Sequence, residues 1–148
     1  MNRFNVRAYL IIIENDQLLL SDEILGGQHC TKFPGGGLEW GEGLIECCHR
    51  EALEELNSRI EVVDHFYTTE GYYPSSFRKE DQVLAIYYTA KLLEKNFPQK
   101  TKKFDFQTFE EREESFRWVG LDALEKEEMT FPIDRIVIQK LIDSQGGS

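Results

Sequence analysis

The sequence predicts an α+β fold, on three observations. Short apolar runs of strand composition recur along the chain, and two stretches carry helical periodicity. The two kinds are mixed without the regular strand–helix–strand alternation of a doubly wound nucleotide-binding sheet. Residues 5–14 read as a strand, and residues 17–21 as its hairpin partner across the turn-prone Glu14-Asn15-Asp16. Residues 24–29, containing Gly26 and Gly27, read as a loop. Lys32-Phe33-Pro34 then leads into the triple glycine Gly35-Gly36-Gly37.

Residues 43–56 form the clearest helix, followed by a strand over residues 60–69. Residues 71–81 read as a loop bearing Tyr72, Tyr73, Pro74 and Phe77. Residues 83–93 and 115–119 are β-rich, and the largely polar residues 94–114 between them read as a mobile loop. Ile133, Ile136, Val137, Leu141 and Ile142 recur at near-helical spacing, so residues 131–142 should close the chain as an amphipathic helix. One domain is expected over residues 1–143, with residues 144–148 a flexible tail.

With 41% hydrophobic and 30% charged residues, the balance is globular. No apolar run approaches the roughly 20 residues that span a bilayer, and the first residues lack a signal-peptide pattern. A cytoplasmic location without membrane attachment is therefore the expectation. A net charge of −10 argues against nucleic acid as a partner, because phosphate backbones recruit clustered Lys and Arg. A small phosphorylated substrate would need a local positive charge, which a bound metal could supply.

Cys30, Cys47 and Cys48 show no zinc-like spacing, and consecutive helix positions fan side chains apart, so they read as buried or half-buried thiols. His29, His49 and His65 show no partner pattern.

Chemistry concentrates on the first helix. With Glu51 at 0° on a helical wheel, Glu54 falls near 300° and Glu55 near 40°, so three carboxylates share about one face. Ile45, Ala52 and Leu56 form an apolar stripe beside them. Like charges at this spacing repel by roughly 0.2–0.5 kcal/mol per pair. A solvated acidic face is the plain alternative; a hard cation such as Mg²⁺ or Mn²⁺ would reverse the repulsion. A glycine-rich loop feeding such a helix is far more specific than either feature alone.

This segment resembles the Nudix box. Gly36 opens it, Glu42 follows after five residues, and Arg50-Glu51 after seven more. Ala52 takes an apolar position, and Glu54-Glu55 are the paired glutamates. Phe33-Pro34-Gly35 resembles the family's lead-in, and Arg117-Trp118-Val119-Gly120-Leu121 its usual late strand. Two positions depart: Asn57 stands where the family has glycine, and Ser58 where it has an apolar residue. Asparagine is the next-best residue for a left-handed helix end, and neither change removes a carboxylate.

The resemblance to the Nudix, MutT-like hydrolases implies an α/β/α sandwich around a mixed sheet. It implies metal-dependent hydrolysis of a diphosphate linkage in a nucleoside diphosphate joined to another moiety. Glu51, Glu54, Glu55 and the Gly35 carbonyl would hold Mg²⁺ or Mn²⁺, with one glutamate, Glu54 being a candidate, accepting the proton. Arg50 and Glu42 would orient those ligands. An additional acid would come from Glu110, Glu111, Glu113 and Glu114, with Glu113 and Glu114 preferred. Tyr72, Tyr73 and Phe77 could stack a flat group of the small-molecule substrate, or pack in the core. A homodimer is left open. The competing class is a non-catalytic nucleotide-metabolite sensor retaining the fold; it would bind a nucleotide without consuming it.

Overall fold

The computed structural model describes residues 1–106 and 113–146. The chain divides into two compact units, Met1–Ile12 with Pro34–Asn96, and Ile13–Phe33 with Phe97–Ser148.

In the first unit, β1 (Arg3–Glu14) enters up to Ile12. The triple glycine forms β4 (Gly35–Gly37), antiparallel to β1 with Arg7 opposite Gly37 and Tyr9 opposite Gly35. On the other side β6 (Asp81–Leu92) runs parallel to β1, from Arg3↔Asp81 to Ile12↔Ala90. β5 (Ile60–Thr68) lies antiparallel beyond β6. Parallel strands are covered on both faces, and β1 obeys: every residue from Ala8 to Ile12 is buried.

The helix α1 (Leu44–Leu56) packs on β4 and β5 and buries Cys47, Cys48, Ala52 and Leu56. Gly43 caps its start, and Glu46 Oε1 reaches back to accept the Gly43 N–H at 2.9 Å.

The end of α1 explains both departures from the Nudix pattern. Asn57 is left-handed (φ 49°, ψ 33°), and its N–H bonds back to Leu53 O at 3.1 Å. Ser58 is fully buried, but its hydroxyl donates to Leu56 O at 2.7 Å and accepts from Asn96 N–H at 2.9 Å. A polar side chain is tolerated there because both of its capacities are used.

In the second unit, β2 (Gln17–Leu25) is flanked by β3 (Gln28–Lys32) and β8 (Glu114–Gly120), both antiparallel to it, while the short β7 (Gln99–Lys100) runs parallel to β8. The sheet pairing is therefore mixed in both units. Within this unit Asp22, fully buried, accepts from Arg117 Nε at 2.6 Å, Thr31 Oγ1 at 2.7 Å and Phe104 N–H at 3.0 Å. Arg117 Nη1 also meets Glu128 at 2.7 Å. A charge so buried is tolerated because it is paired and hydrogen-bonded together.

Several expectations are corrected. Residues 24–29 are not a loop: β2 runs on to Leu25, and Gly26 (φ 55°) and Gly27 (φ 81°) make a two-residue turn into β3. Gly35–Gly37 is a strand, not a loop. The polar stretch 94–114 contains β7. The closing helix α2 (Pro132–Gly146) continues three residues into the expected tail, whose last two residues lie outside the described residues. Among the described residues no helix is long and apolar enough to cross a membrane.

Candidate active site

The glycine strand is held from both edges. β1 binds one edge, and side chains of α1 bind the other. Glu55 Oε1 accepts the Gly35 N–H at 3.1 Å. Arg50 Nη2 donates to Gly37 O at 2.8 Å, and the Cys47 thiol donates to the same oxygen at 3.6 Å. Three side chains of one helix, at positions 47, 50 and 55, thus sew α1 to the glycine strand before it.

Gly35 has no room for a side chain, and Gly36 has room for one only if Glu51 moves. Gly35 has φ +142°, and an added Cβ would stand 2.2 Å from Ala8 O and 2.8 Å from Tyr9 Cα. A Cβ on Gly36 would stand 2.5 Å from Glu51 Oε1, so the missing side chain is what lets this carboxylate lie against the strand.

The glutamates are placed differently from one another. Glu51 is largely buried, with 12% of its side chain exposed, whereas Glu54 is 58% exposed. Among the described residues their carboxylate oxygens, with those of Glu55, do not all lie within 4.8 Å of one another. Arg50 stands between them: Nη1 meets Glu51 at 2.9 Å and Glu54 at 3.1 Å, and Nη2 meets Glu42 at 2.7 Å. Arg50 and Glu42 thus belong to one direct ion-pair web with Glu51 and Glu54. It is the Gly35 amide that engages Glu55 on α1. Glu51 and Glu55 lie against the glycine strand, and carboxylate oxygens are the donors a hard divalent ion prefers, so the donor chemistry present fits a metal.

Electrostatics follow the web. Arg50, with a backbone hydrogen bond at Glu39, holds the Glu42 carboxyl down at about 2, against an ordinary 4.5. A depressed carboxyl stabilises the fold above its unfolded pKa, and that contribution fades as pH falls from about 4.5 to about 2. The thermal midpoint of Glu42→Gln should therefore lie below wild type at neutral pH, the gap closing across that window in acid melts. A gap independent of pH would contradict the pairing. Burial pushes the Cys47 thiol up to about 11 and Cys48 to about 12, so both stay protonated and unreactive at neutral pH. All three cysteines are free and buried, as read from the sequence.

The other expected residues are dispersed. Tyr72 and Phe77 are exposed (69% and 63%) and Tyr73 is half-buried, its carbonyl accepting the Val83 N–H at 2.8 Å. In the second unit Glu114 pairs with Glu23 across β8 and β2, and the Ser21 hydroxyl lies 3.0 Å from Glu23 and 3.4 Å from Glu114. The Glu113 carbonyl accepts the Ile24 N–H at 2.9 Å. Glu110 and Glu111 lie outside the described residues.

One residue near the glycine strand was missed. Arg7, half-buried on β1, has Nη1 3.6 Å from the Cβ position of Gly37. Nothing local in the sequence marks it, because its neighbourhood is made by the β1–β4 register.

The architecture and the glycine–glutamate site converge with one further finding: a family model described as "NUDIX domain" matches residues 3–141. The chain belongs to the Nudix family. No curated protein matches it. Solved structures similar to this Nudix chain include a NUDIX hydrolase from Nitrosomonas europaea, 18% identical, with TM-score 0.69, covering 95% of this chain and 89% of the other. A MutT NUDIX hydrolase from Burkholderia pseudomallei is 20% identical, with TM-score 0.69, covering 92% and 96%. A protein described as UDP-X diphosphatase is 16% identical, with TM-score 0.65, covering 95% of this chain and 64% of that one. The α+β Nudix fold expected from the sequence is the fold of these neighbours. The protein is a Nudix diphosphohydrolase, of a family that hydrolyses pyrophosphate bonds in small molecules and generally uses divalent metal.

Proposed function

We propose that this protein is a Mg²⁺- or Mn²⁺-dependent hydrolase of a nucleoside diphosphate linked to another moiety, such as a nucleotide sugar or a nucleoside triphosphate. The observation that carries this is the suturing of a side-chain-free glycine strand to the carboxylate face of α1 through Glu55 and Arg50. Glu51, Glu54 and Glu55 would hold the metal, with the Gly35 carbonyl a further oxygen. A divalent ion held there would supply positive charge for the diphosphate oxygens and a bound water of lowered pKa as the nucleophile.

The remaining work falls to the chain. Glu54, the exposed member of the set, is the candidate for receiving the proton of that water. Arg50 keeps Glu51 and Glu54 oriented, and Glu42 keeps Arg50 in place. Glu113 and Glu114 stay in the reading as candidate additional acids, and Tyr72, Tyr73 and Phe77 as candidates for contact with the leaving group.

The test is a panel of nucleotide sugars, nucleoside triphosphates and dinucleoside polyphosphates, incubated with and without Mg²⁺ or Mn²⁺ and resolved by mass. Cleavage at a phosphoric anhydride only with metal is expected, and chelation should abolish it. A nucleotide bound but recovered intact would instead favour a sensor.

A further inference from the structure

A cavity of about 170 Å³ opens in the first unit where β1 and β6 begin. Its walls include Arg3 and Phe4 of β1 and their register partners Asp81 and Gln82 of β6, with Tyr72 and Lys79 from the loop between β5 and β6. That volume is on the order of tenfold what one water needs. Two of the lining side chains are exposed aromatics, Phe4 at 73% and Tyr72 at 69%. Among the described residues neither ring has an aromatic partner. Two large rings left in water at one cavity offer a stacking surface.

The charges around it are unbalanced. Arg3 donates to Asp81 from Nε and Nη2, both at 3.1 Å, and Arg78 donates to the same carboxylate. Asp81 is thereby spent, while Arg3 keeps Nη1 for another acceptor. The exposed Lys79 ammonium has no ion pair among the described residues. Glu80, also at the cavity, stands 4.0 Å from Arg78 Nε. Three cations thus face two carboxylates in a chain whose net charge is −10. Asn2 and Gln82 add side-chain amides, each donor and acceptor at once, that have no partner among the described residues.

We propose that this cavity is a second ligand site, taking a nitrogen heterocycle that carries a phosphate, such as a nucleoside monophosphate. The ring lies against Phe4 and Tyr72, its polar edge meets the Asn2 and Gln82 amides, and the phosphate meets Lys79 and Arg3 Nη1. A purely apolar ring would leave the amides unused, and an inorganic anion would leave the aromatics unused. The site is set apart from the glycine strand: Arg3 precedes Arg7, the partner of Gly37, by four positions, about 13 Å of extended chain. It goes beyond the hydrolysis proposed above and does not depend on it. Of the aromatics that are candidates for contact with the leaving group, only Tyr72 lines the cavity.

The test is calorimetric titration of the full chain with adenosine monophosphate in metal-free buffer, where the α1 carboxylates hold no cation to attract a phosphate. Adenosine and inorganic phosphate serve as half-ligands, and thermal midpoints as the folding control. The nucleotide should bind with a Kd at or below about 1 mM, and each half-ligand at least about tenfold more weakly. Lys79→Ala and Tyr72→Ala should each raise the nucleotide Kd by about five- to fiftyfold. Both side chains are exposed, so both variants should fold. Glu54→Gln, on α1, should leave the Kd within about twofold. Absence of nucleotide binding by the wild type would overturn the proposal, as would a half-ligand that binds as tightly as the nucleotide. So would a Kd moved less than about twofold by either cavity variant, or an equal loss in Glu54→Gln, which would seat the nucleotide on α1. For any diphosphate that the chain cleaves, Lys79→Ala should leave KM within about twofold. A KM raised in step with the nucleotide Kd would make the cavity part of the substrate site and overturn its assignment as a second one.

Discussion

Glu54→Gln and Glu55→Gln should each lower kcat/KM by about 10³-fold or more, the loss expected when a ligand supplying several kcal/mol of metal-borne stabilisation is removed. Stability should hardly move, for reasons that differ at the two sites. Glu54 is more than half exposed and its pair with Arg50 is an i,i+4 surface contact, worth at most about 0.5 kcal/mol. Glu55 is half-buried, but the Gly35 amide needs only an acceptor from it, and the glutamine carbonyl keeps one. Activity assays at saturating Mg²⁺, run beside thermal melts, separate the effects. Either variant retaining more than about a tenth of wild-type activity while folded would remove that glutamate from the ligand set.

Gly35→Ala should be the most destabilising single substitution in the glycine strand, by about 4 kcal/mol, adding backbone strain to overpacking. The added Cβ meets backbone, Ala8 O at 2.2 Å and Tyr9 Cα at 2.8 Å, at a φ of +142°. Neither atom can swing aside as a side chain would, and the β1–β4 pairing must open instead. For a chain of this length the thermal midpoint should fall by roughly 8–16 °C. Gly41→Ala is the control. It also has a positive φ (+92°) but nothing within 4 Å, so it should cost only about 1–2 kcal/mol of left-handed strain. Equal midpoints for the two variants would show that contact at Gly35 is not what excludes a side chain.

Helix α1 was legible in advance because its signals are local. A glycine start, an acidic N3 residue, a 3.6-residue apolar stripe and an asparagine stop lie within fifteen positions, and the wheel placed the glutamates without tertiary information. The hairpin at Gly26-Gly27 carried a recognisable two-residue turn signal as well, but the polar Asp22-Glu23 just before it disguised the strand. Those two are buried because Arg117 and Lys32 meet them, and Arg117 lies 95 positions away from Asp22. Gly35–Gly37 has no strand propensity of its own; it becomes a strand because β1 and the α1 side chains occupy its two edges. The place of Arg7 beside Gly37 was invisible for the same reason, since it is set by the β1–β4 register.

Arg50 gives the acidic face a tenant of its own. Because one guanidinium already spans Glu42, Glu51 and Glu54, the helix does not have to wait for an ion to become electrically tolerable. The chain can then fold with its acidic face already neutralised in part, before any cation is bound.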